Sequence, residues 1–290
     1  MPALGRLLTA MVTPLDAAGA IDDNATVRLV HHLLDHGSDG LVVAGSTGEA
    51  ATLSDDEHIG LIDLVVEELG CHAATVIAGA GSNDTRHACQ LTERAVAAGA
   101  DAVLSVTPYY NKPNRRGLRR HYEEVARAAG GTPILLYNIP SRTALDVPND
   151  LLGELAQIDG ITGVKQANPD NLGLIDGLDL YAGNDDMFCD VLELGGAGGI
   201  LVASHLVGDA MARMVSEPLK RRAIDQELQD VYSALAVTTN PIPVKAALNM
   251  IGLDVGGLRL PLVEADAGEA GVIRAALEQH GLLAATPSAS

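Results

Sequence analysis

GLVVAGSTGEAATLSDDEHIGLIDLVVEELG, residues 40–70, contains one complete unit of the fold. Leu41, Val42 and Val43 are apolar at every position rather than at alternate ones, as in a parallel strand covered on both faces. A polar turn rich in glycine and hydroxyls follows. Ser54 then sits where an N-cap belongs, and a stretch of helical period runs to Gly70. The same unit recurs along the chain. Apolar runs stand at LLTAMVTP (7–14), GLVVAG (40–45), TVIAGAG (75–81), AVLSVTP (102–108), PILLYN (133–138), ITGVK (161–165), LYAGN (180–184) and GGILVAS (198–204). Helical segments lie between them, including NATVRLVHHLLDHG and NDTRHACQLTERAVAAG, with Asn24 and Asn83 as expected N-caps.

Eight strand–helix units predict an α/β protein, a (β/α)8 TIM barrel. A doubly wound open sheet is the alternative, but no GxGxxG follows the first run. GAGSND and GGAGG lack that spacing and read as tight turns. The expected organisation is a barrel over 1–205 that carries the catalytic strand ends. Residues 206–283 then supply the eighth barrel helix and a C-terminal helical extension. AATPSAS, 284–290, reads as a disordered tail.

Composition narrows the function. The chain has 290 residues, 47% of them hydrophobic, enough for a large core. A net charge of −19 disfavours nucleic acid and anionic membrane as partners. Aromatic residues are 2% and Trp is absent, so base-stacking platforms are not expected. Cys71, Cys89 and Cys189 are scattered with no CxxC pair, which predicts reduced thiols and a cytoplasmic setting. His31, His32 and His36 share an amphipathic helix and read as surface histidines rather than a metal site. MPALGRLL lacks the pattern of a signal peptide, and no apolar run approaches membrane-spanning length.

In a barrel of this kind the chemistry belongs at the C-terminal ends of the strands. Those ends offer Thr13; Ser46, Thr47 and Glu49; Tyr109, Tyr110 and Asn111; Tyr137, Ser141 and Arg142; Lys165; Gly183 to Asp185; and the backbone near Ile200. The chain has four lysines: Lys112, Lys165, Lys220 and Lys245. Lys220 sits in KRR, Lys245 in a C-terminal helix and Lys112 in a loop. Lys165 alone ends an apolar strand, where desolvation lowers an amine's pKa and frees it to form a Schiff base with a ketone. Tyr137 is a candidate proton shuttle. The amides of the Ser-Thr-Gly turn suit a carboxylate. Each piece has a plainer reading as a helix-entry turn, a strand-end phenol or a surface ion pair; their convergence on one mouth favours the chemical one.

The chain resembles the dihydrodipicolinate synthase family of pyruvate-dependent class I aldolases, over about residues 6–283. LLTAMVTP, GLVVAGSTGEAATLS, VIAGAGSND, SVTPYYNKP, ILLYNIPSRT, GVK, GGAGGILVA, NPIPVKAAL and LRLP carry the resemblance. It implies a lyase in lysine and diaminopimelate biosynthesis, joining pyruvate to L-aspartate 4-semialdehyde, with no metal or organic cofactor. By position, Lys165 is the imine-forming lysine and Tyr137 the general acid/base. Ser46 joins a hydroxyl relay with Tyr137 and Tyr110. Thr47 binds the pyruvate carboxylate. Arg142 binds the carboxylate of the second substrate, and Gly183 and Ile200 line the site with carbonyls. Tyr110 is expected to reach a neighbouring subunit's site, implying a homotetramer built as a dimer of dimers.

The alternative is a 2-keto-3-deoxy sugar acid aldolase or N-acetylneuraminate lyase-like enzyme using the same lysine. Ser46 permits it and Arg142 opposes it. A regulator without activity on the same barrel is disfavoured by the intact Lys165, Tyr137 and Tyr110. Two departures from the family pattern stand out. Gln166 follows the lysine where an acidic residue is usual. The family's lysine-inhibition site is matched at His58, Asn83 and Tyr109 but not at Ala50, Asp55 and His87, so lysine inhibition is expected to be weak or absent.

Overall fold

A computed structural model describes residues 4–70 and 72–283; the expected tail at 284–290 and Cys71 lie outside them. All eight apolar runs are strands: β1 Leu7–Ala10, β2 Gly40–Val43, β3 Thr75–Gly79, β4 Ala102–Val106, β5 Ile134–Asn138, β6 Ile161–Gln166, β7 Asp179–Ala182 and β8 Gly198–Leu201. They pair in parallel in sequence order, and β1 returns to β8 to close the barrel, Leu8 standing opposite Ile200. The TIM barrel is therefore the fold, with further helices after β8. Two apolar layers result from the alternation of side chains along each strand. Leu8, Val42, Ile77, Leu104, Leu135 and Ile200 fill the interior, while Leu7, Leu41, Val76, Val103 and Val164 pack outward beneath the helices. This double coverage explains why the strands read as continuous rather than alternating runs.

The helices follow their caps. Ser54 and Glu57 form a reciprocal capping box at the start of Asp55–Leu69, as expected. The caps of the other two helices shift by one or two residues. Asp22, not Asn24, accepts from the Ala25 amide, and Asp84, not Asn83, accepts from the Arg86 amide. In both cases an aspartate lies close to the asparagine, and a carboxylate is the stronger acceptor at the positive end of a helix. EPLKRRAIDQELQDVYSALA forms two helices, Arg221–Glu227 and Gln229–Leu235, broken at Leu228, where neither glycine nor proline signals it. Ile242–Met250 and Ala267–Gln279 pack together around Ala247, Ile273 and Leu277. Among the described residues no helix is long and apolar enough to cross a membrane.

Three histidines are buried and neutral. His205 is held in one tautomer: Nδ1 donates to the Val202 carbonyl at 2.8 Å and Nε2 accepts the Val12 amide at 3.2 Å. Desolvation pushes His205 and His121 down to about 4, and lowers His58. The folded value lies below the unfolded one near 6.5, so the unfolded chain takes up the proton first. Stability is therefore expected to fall as pH drops from 6.5 towards 4, by up to about 3 kcal/mol for each of His205 and His121. Urea midpoints between pH 7.5 and 4.5 measure it. A flat profile there would contradict the assignment. The Glu57 carboxylate, held at about 2 by Arg259, titrates below that window, whereas the Asp185 and Asp225 carboxyls, raised by burial, act in the opposite sense and reduce the net fall.

Candidate active site

A cavity of about 490 Å³ opens at the C-terminal ends of the strands, lined by Ser46, Thr47, Tyr137, Arg142, Lys165 and Gly183 among others. These are six of the residues expected from sequence to form the site. The barrel register explains the central pair. Tyr137 on β5 and Lys165 on β6 are direct neighbours in the ladder, so both side chains project to the same face. Lys165 Nζ lies 4.4 Å from the centre of the Tyr137 ring, within the range of a cation–π contact when the amine is protonated. Lys165 is 5% exposed.

Burial sets the electrostatics. It lowers the Lys165 amine to about 7, opposed by Asp185 and assisted by Arg142. It raises the Tyr137 phenol to about 12, with Arg142 pulling the other way. An amine that loses its proton near neutrality stands against a phenol that keeps its own, which suits a nucleophile with a proton donor beside it.

The turn after β2 forms another wall. Ala44 and Glu49 both take left-handed backbone conformations, φ 53° and 54°. Amides of Glu49 and Ala50 donate to the Ser46 and Gly45 carbonyls, both at 3.2 Å, and Thr13 Oγ1 donates to the Gly48 carbonyl at 2.6 Å. Gly79, at the end of β3, has to be glycine, because a Cβ there would lie 2.4 Å from the Ala44 carbonyl oxygen. Thr47 Oγ1 accepts from Asn240 Nδ2 at 2.9 Å, and Arg142 Nη2 donates to the Asn240 carbonyl at 2.9 Å. Arg142 sits on the short helix Pro140–Thr143, exposed and tethered by that bond.

Two expected site residues are not among those lining this cavity. Ile200 is fully buried in the barrel interior opposite Leu8, beneath the site. Val202, two residues further on, lines the cavity instead. The expected contribution of Ile200 was its backbone carbonyl; its side chain packs with the interior layer. Tyr110 is 86% exposed, with φ 71°, and lines neither this cavity nor its neighbour. Among the described residues, neither Ser46 Oγ nor Tyr137 Oη has a hydrogen-bond partner within the chain, so the expected relay is not closed by one subunit alone.

Asp185 and Asn240 are cavity residues to which the sequence expectations gave no role. Asp185 Oδ1 accepts the amides of Val202 and Ala203, both at 2.9 Å, which ties the end of β7 to the end of β8. Burial raises its carboxyl while those amides lower it. Its position after the seventh run was the available signal; Asn240 opens the NPIPVKAAL stretch that carried the resemblance, where it was given no role.

The structure shows what Gln166 does. It points away from Lys165 and is fully buried. Its Oε1 accepts from Asn138 Nδ2 and from the Asn168 amide, both at 3.0 Å. Asn138 also donates to Asp146 at 2.9 Å, and Asp146 accepts from Asn168 and Asn171 besides. A glutamate at 166 would place a second carboxylate on the amide that already serves Asp146, whereas the neutral glutamine avoids that repulsion at the cost of a buried Nε2 without a hydrogen-bond partner among the described residues.

Comparison with known proteins agrees with this geometry. The 4-hydroxy-tetrahydrodipicolinate synthase of Cyanothece is 40% identical over 295 residues, covering 98% of this chain and all of that protein. The dihydrodipicolinate synthase of Acinetobacter baumannii, solved in complex with pyruvate, superposes with a TM-score of 0.93 at 34% identity, over 97% of this chain and all of the other. The enzyme of Cyanidioschyzon merolae, solved with lysine bound, gives 0.92 at 37% identity, over 97% and 99% of the two chains. The Dihydrodipicolinate synthetase family profile matches residues 3–280. With a closed eight-stranded barrel, a buried lysine facing a tyrosine at its mouth and this match over nearly its whole length, the chain belongs to the dihydrodipicolinate synthetase family.

Proposed function

We propose that the chain is a lyase-class aldolase that condenses pyruvate with L-aspartate 4-semialdehyde to give 4-hydroxy-tetrahydrodipicolinate, a step of diaminopimelate and lysine biosynthesis. The observation that carries this reading is Lys165, buried at the mouth of the barrel with an amine brought down to about 7. The free amine attacks the pyruvate ketone. Loss of water from the carbinolamine leaves an iminium. Loss of a methyl proton gives the enamine, whose carbon attacks the aldehyde. Attack by the semialdehyde's own amine on the imine carbon then closes the ring and releases Lys165.

Tyr137 supplies and removes the protons of these steps through its phenol. Thr47 and the neighbouring turn amides hold the pyruvate carboxylate. The Arg142 guanidinium keeps its other N–H groups for the carboxylate of the semialdehyde. Ser46 completes a relay with Tyr137 and the Tyr110 of a second subunit. The exposure of Tyr110 and its left-handed backbone support a residue presented outwards to a second subunit, and the resemblance extends that to a homotetramer. A sugar-acid acceptor is the second reading; Arg142 favours the acceptor that carries a carboxylate.

Borohydride reduction in the presence of pyruvate tests the lysine. Its expected result is a mass increase confined to the peptide containing Lys165. Rates with aspartate semialdehyde, glyceraldehyde and N-acetylmannosamine test the acceptor, with aspartate semialdehyde expected to be strongly preferred.

Lysine inhibition is expected to be weak. A second cavity of about 430 Å³ is lined by His58, Tyr109, Asp55 and His87 among others. His87 bonds Asp55 at 2.9 Å and Ser82 at 3.2 Å, so an imidazole stands there in place of an acid that would hold an amino group. Assays across lysine concentrations check this, and strong inhibition at low lysine would refute it.

A further inference from the structure

The proposed mechanism uses one of two buried lysines. The other, Lys245, is 1% exposed, as is its partner Glu49. Lys245 lies on the helix Ile242–Met250, and its Nζ donates to Glu49 Oε1 and to the Gly257 carbonyl, both at 2.6 Å. Glu49 Oε2 accepts the Arg259 amide at 3.0 Å. The Arg259 guanidinium donates to the carbonyls of Gly19 and Thr52, each at 2.8 Å, and to Glu57 at 2.9 Å. One carboxylate thus joins three segments distant in sequence: the turn after β2, the helix at 242–250 and the loop at 257–259.

Glu49 is also where that turn is most constrained. Its φ of 54° is in the left-handed region, which a residue with a side chain adopts at a cost. The carboxylate's bonds to Lys245 and Arg259 hold it there. Its own amide closes the turn on the Ser46 carbonyl, and Thr47 stands two residues before it. The segment leading into the helix of Lys245 reaches the same turn a second time, through Asn240 and Thr47. A buried ion pair adds little net stability over apolar replacements. A geometric role gives a reason for keeping it.

We propose that the Glu49–Lys245 pair is a positioning latch that fixes the Ser46–Thr47 turn in the conformation that binds the pyruvate carboxylate. Neither residue touches the substrate; both act through the turn. The inference rests on the pyruvate reading given above. It predicts a defect in pyruvate binding separable from fold stability.

The test is borohydride trapping of Lys165 across a pyruvate series, read by mass spectrometry, beside thermal unfolding of the same samples. In Glu49→Gln the pyruvate concentration for half-maximal labelling is expected to rise about tenfold, with full labelling at saturation. The double variant Glu49→Gln/Lys245→Met buries no charge. It is expected to recover thermal stability while the half-maximal concentration stays raised. Half-saturation that returns to the wild-type value together with stability would overturn the latch in favour of a structural pair. So would unchanged half-saturation in folded Glu49→Gln, or failure of both variants to fold. Absence of label on wild-type Lys165 would instead overturn the Schiff-base reading, and the latch with it.

Discussion

Lys165→Met is expected to slow the condensation by roughly 10⁴-fold or more, because no other group on the chain takes over the imine chemistry. The same change is expected to make the protein more stable at neutral pH, by about 2–4 kcal/mol. The two effects share one cause. The wild-type amine has a folded value of about 7 against an ordinary value near 10.5. Between those limits the unfolded chain holds the proton more tightly, so the wild-type protein is at a disadvantage at pH 7 and regains stability as pH rises towards 10.5. Methionine fills a similar volume and carries no such penalty. The stability gap is therefore expected to narrow between pH 7 and 9.5, which urea midpoints at both values measure. Imine formation in the wild type should rise through about pH 7 and then level, since the Tyr137 phenol keeps its proton to about 12. A variant no more stable than the wild type, with a gap independent of pH, would mean that the amine is not desolvated.

Arg142→Ala is expected to reduce kcat/KM for aspartate semialdehyde by about 100-fold, the size of two lost charge-assisted hydrogen bonds. Pyruvate trapping on Lys165 should persist, because the pyruvate carboxylate is assigned to the turn at Ser46 and Thr47. Activity with glyceraldehyde, which carries no carboxylate, should change little. The preference between aldehydes therefore collapses in the variant, and the comparison is internal to one protein. An equal fall for both aldehydes would assign Arg142 to the general shape of the mouth. A wild-type preference for N-acetylmannosamine would move the enzyme to the sugar-acid reading with its lysine unchanged.

The fold was legible because closed parallel barrels bury both faces of each strand, which turns a structural requirement into eight visible apolar runs. Lys165 was legible because the chain has few lysines and this one ends a strand. Tyr137 followed from the neighbouring strand end. What escaped depends on distance along the chain. Glu49 and Lys245 are 196 residues apart, and nothing in either local stretch marks the other; Lys245 read as an ordinary helical lysine. Asn240 opened the NPIPVKAAL motif, but its bond to Thr47, 193 residues away, was hidden for the same reason. The cap positions were missed by one or two residues, because Asp and Asn both cap well and stood within two residues of each other. The break at Leu228 has no residue-type signal at all. Ile200 was assigned a backbone carbonyl by resemblance, and its side chain belongs to the interior layer.

The join between β1 and β8 bears on how the chain reaches this state. Thr9 Oγ1 donates to Ser204 Oγ at 2.8 Å, and the Val12 amide reaches His205, so the first strand is stitched to residues almost 200 positions later. Until β8 emerges from synthesis, β1 presents an open edge of unpaired amides and carbonyls, as does each newest strand in turn. Ring closure of such long reach makes folding slow and leaves those edges prone to pairing with other molecules. The conspicuous surplus of negative charge, −19 over the chain, then gains a role before the native state exists: it keeps half-finished barrels apart while they wait for their last strand.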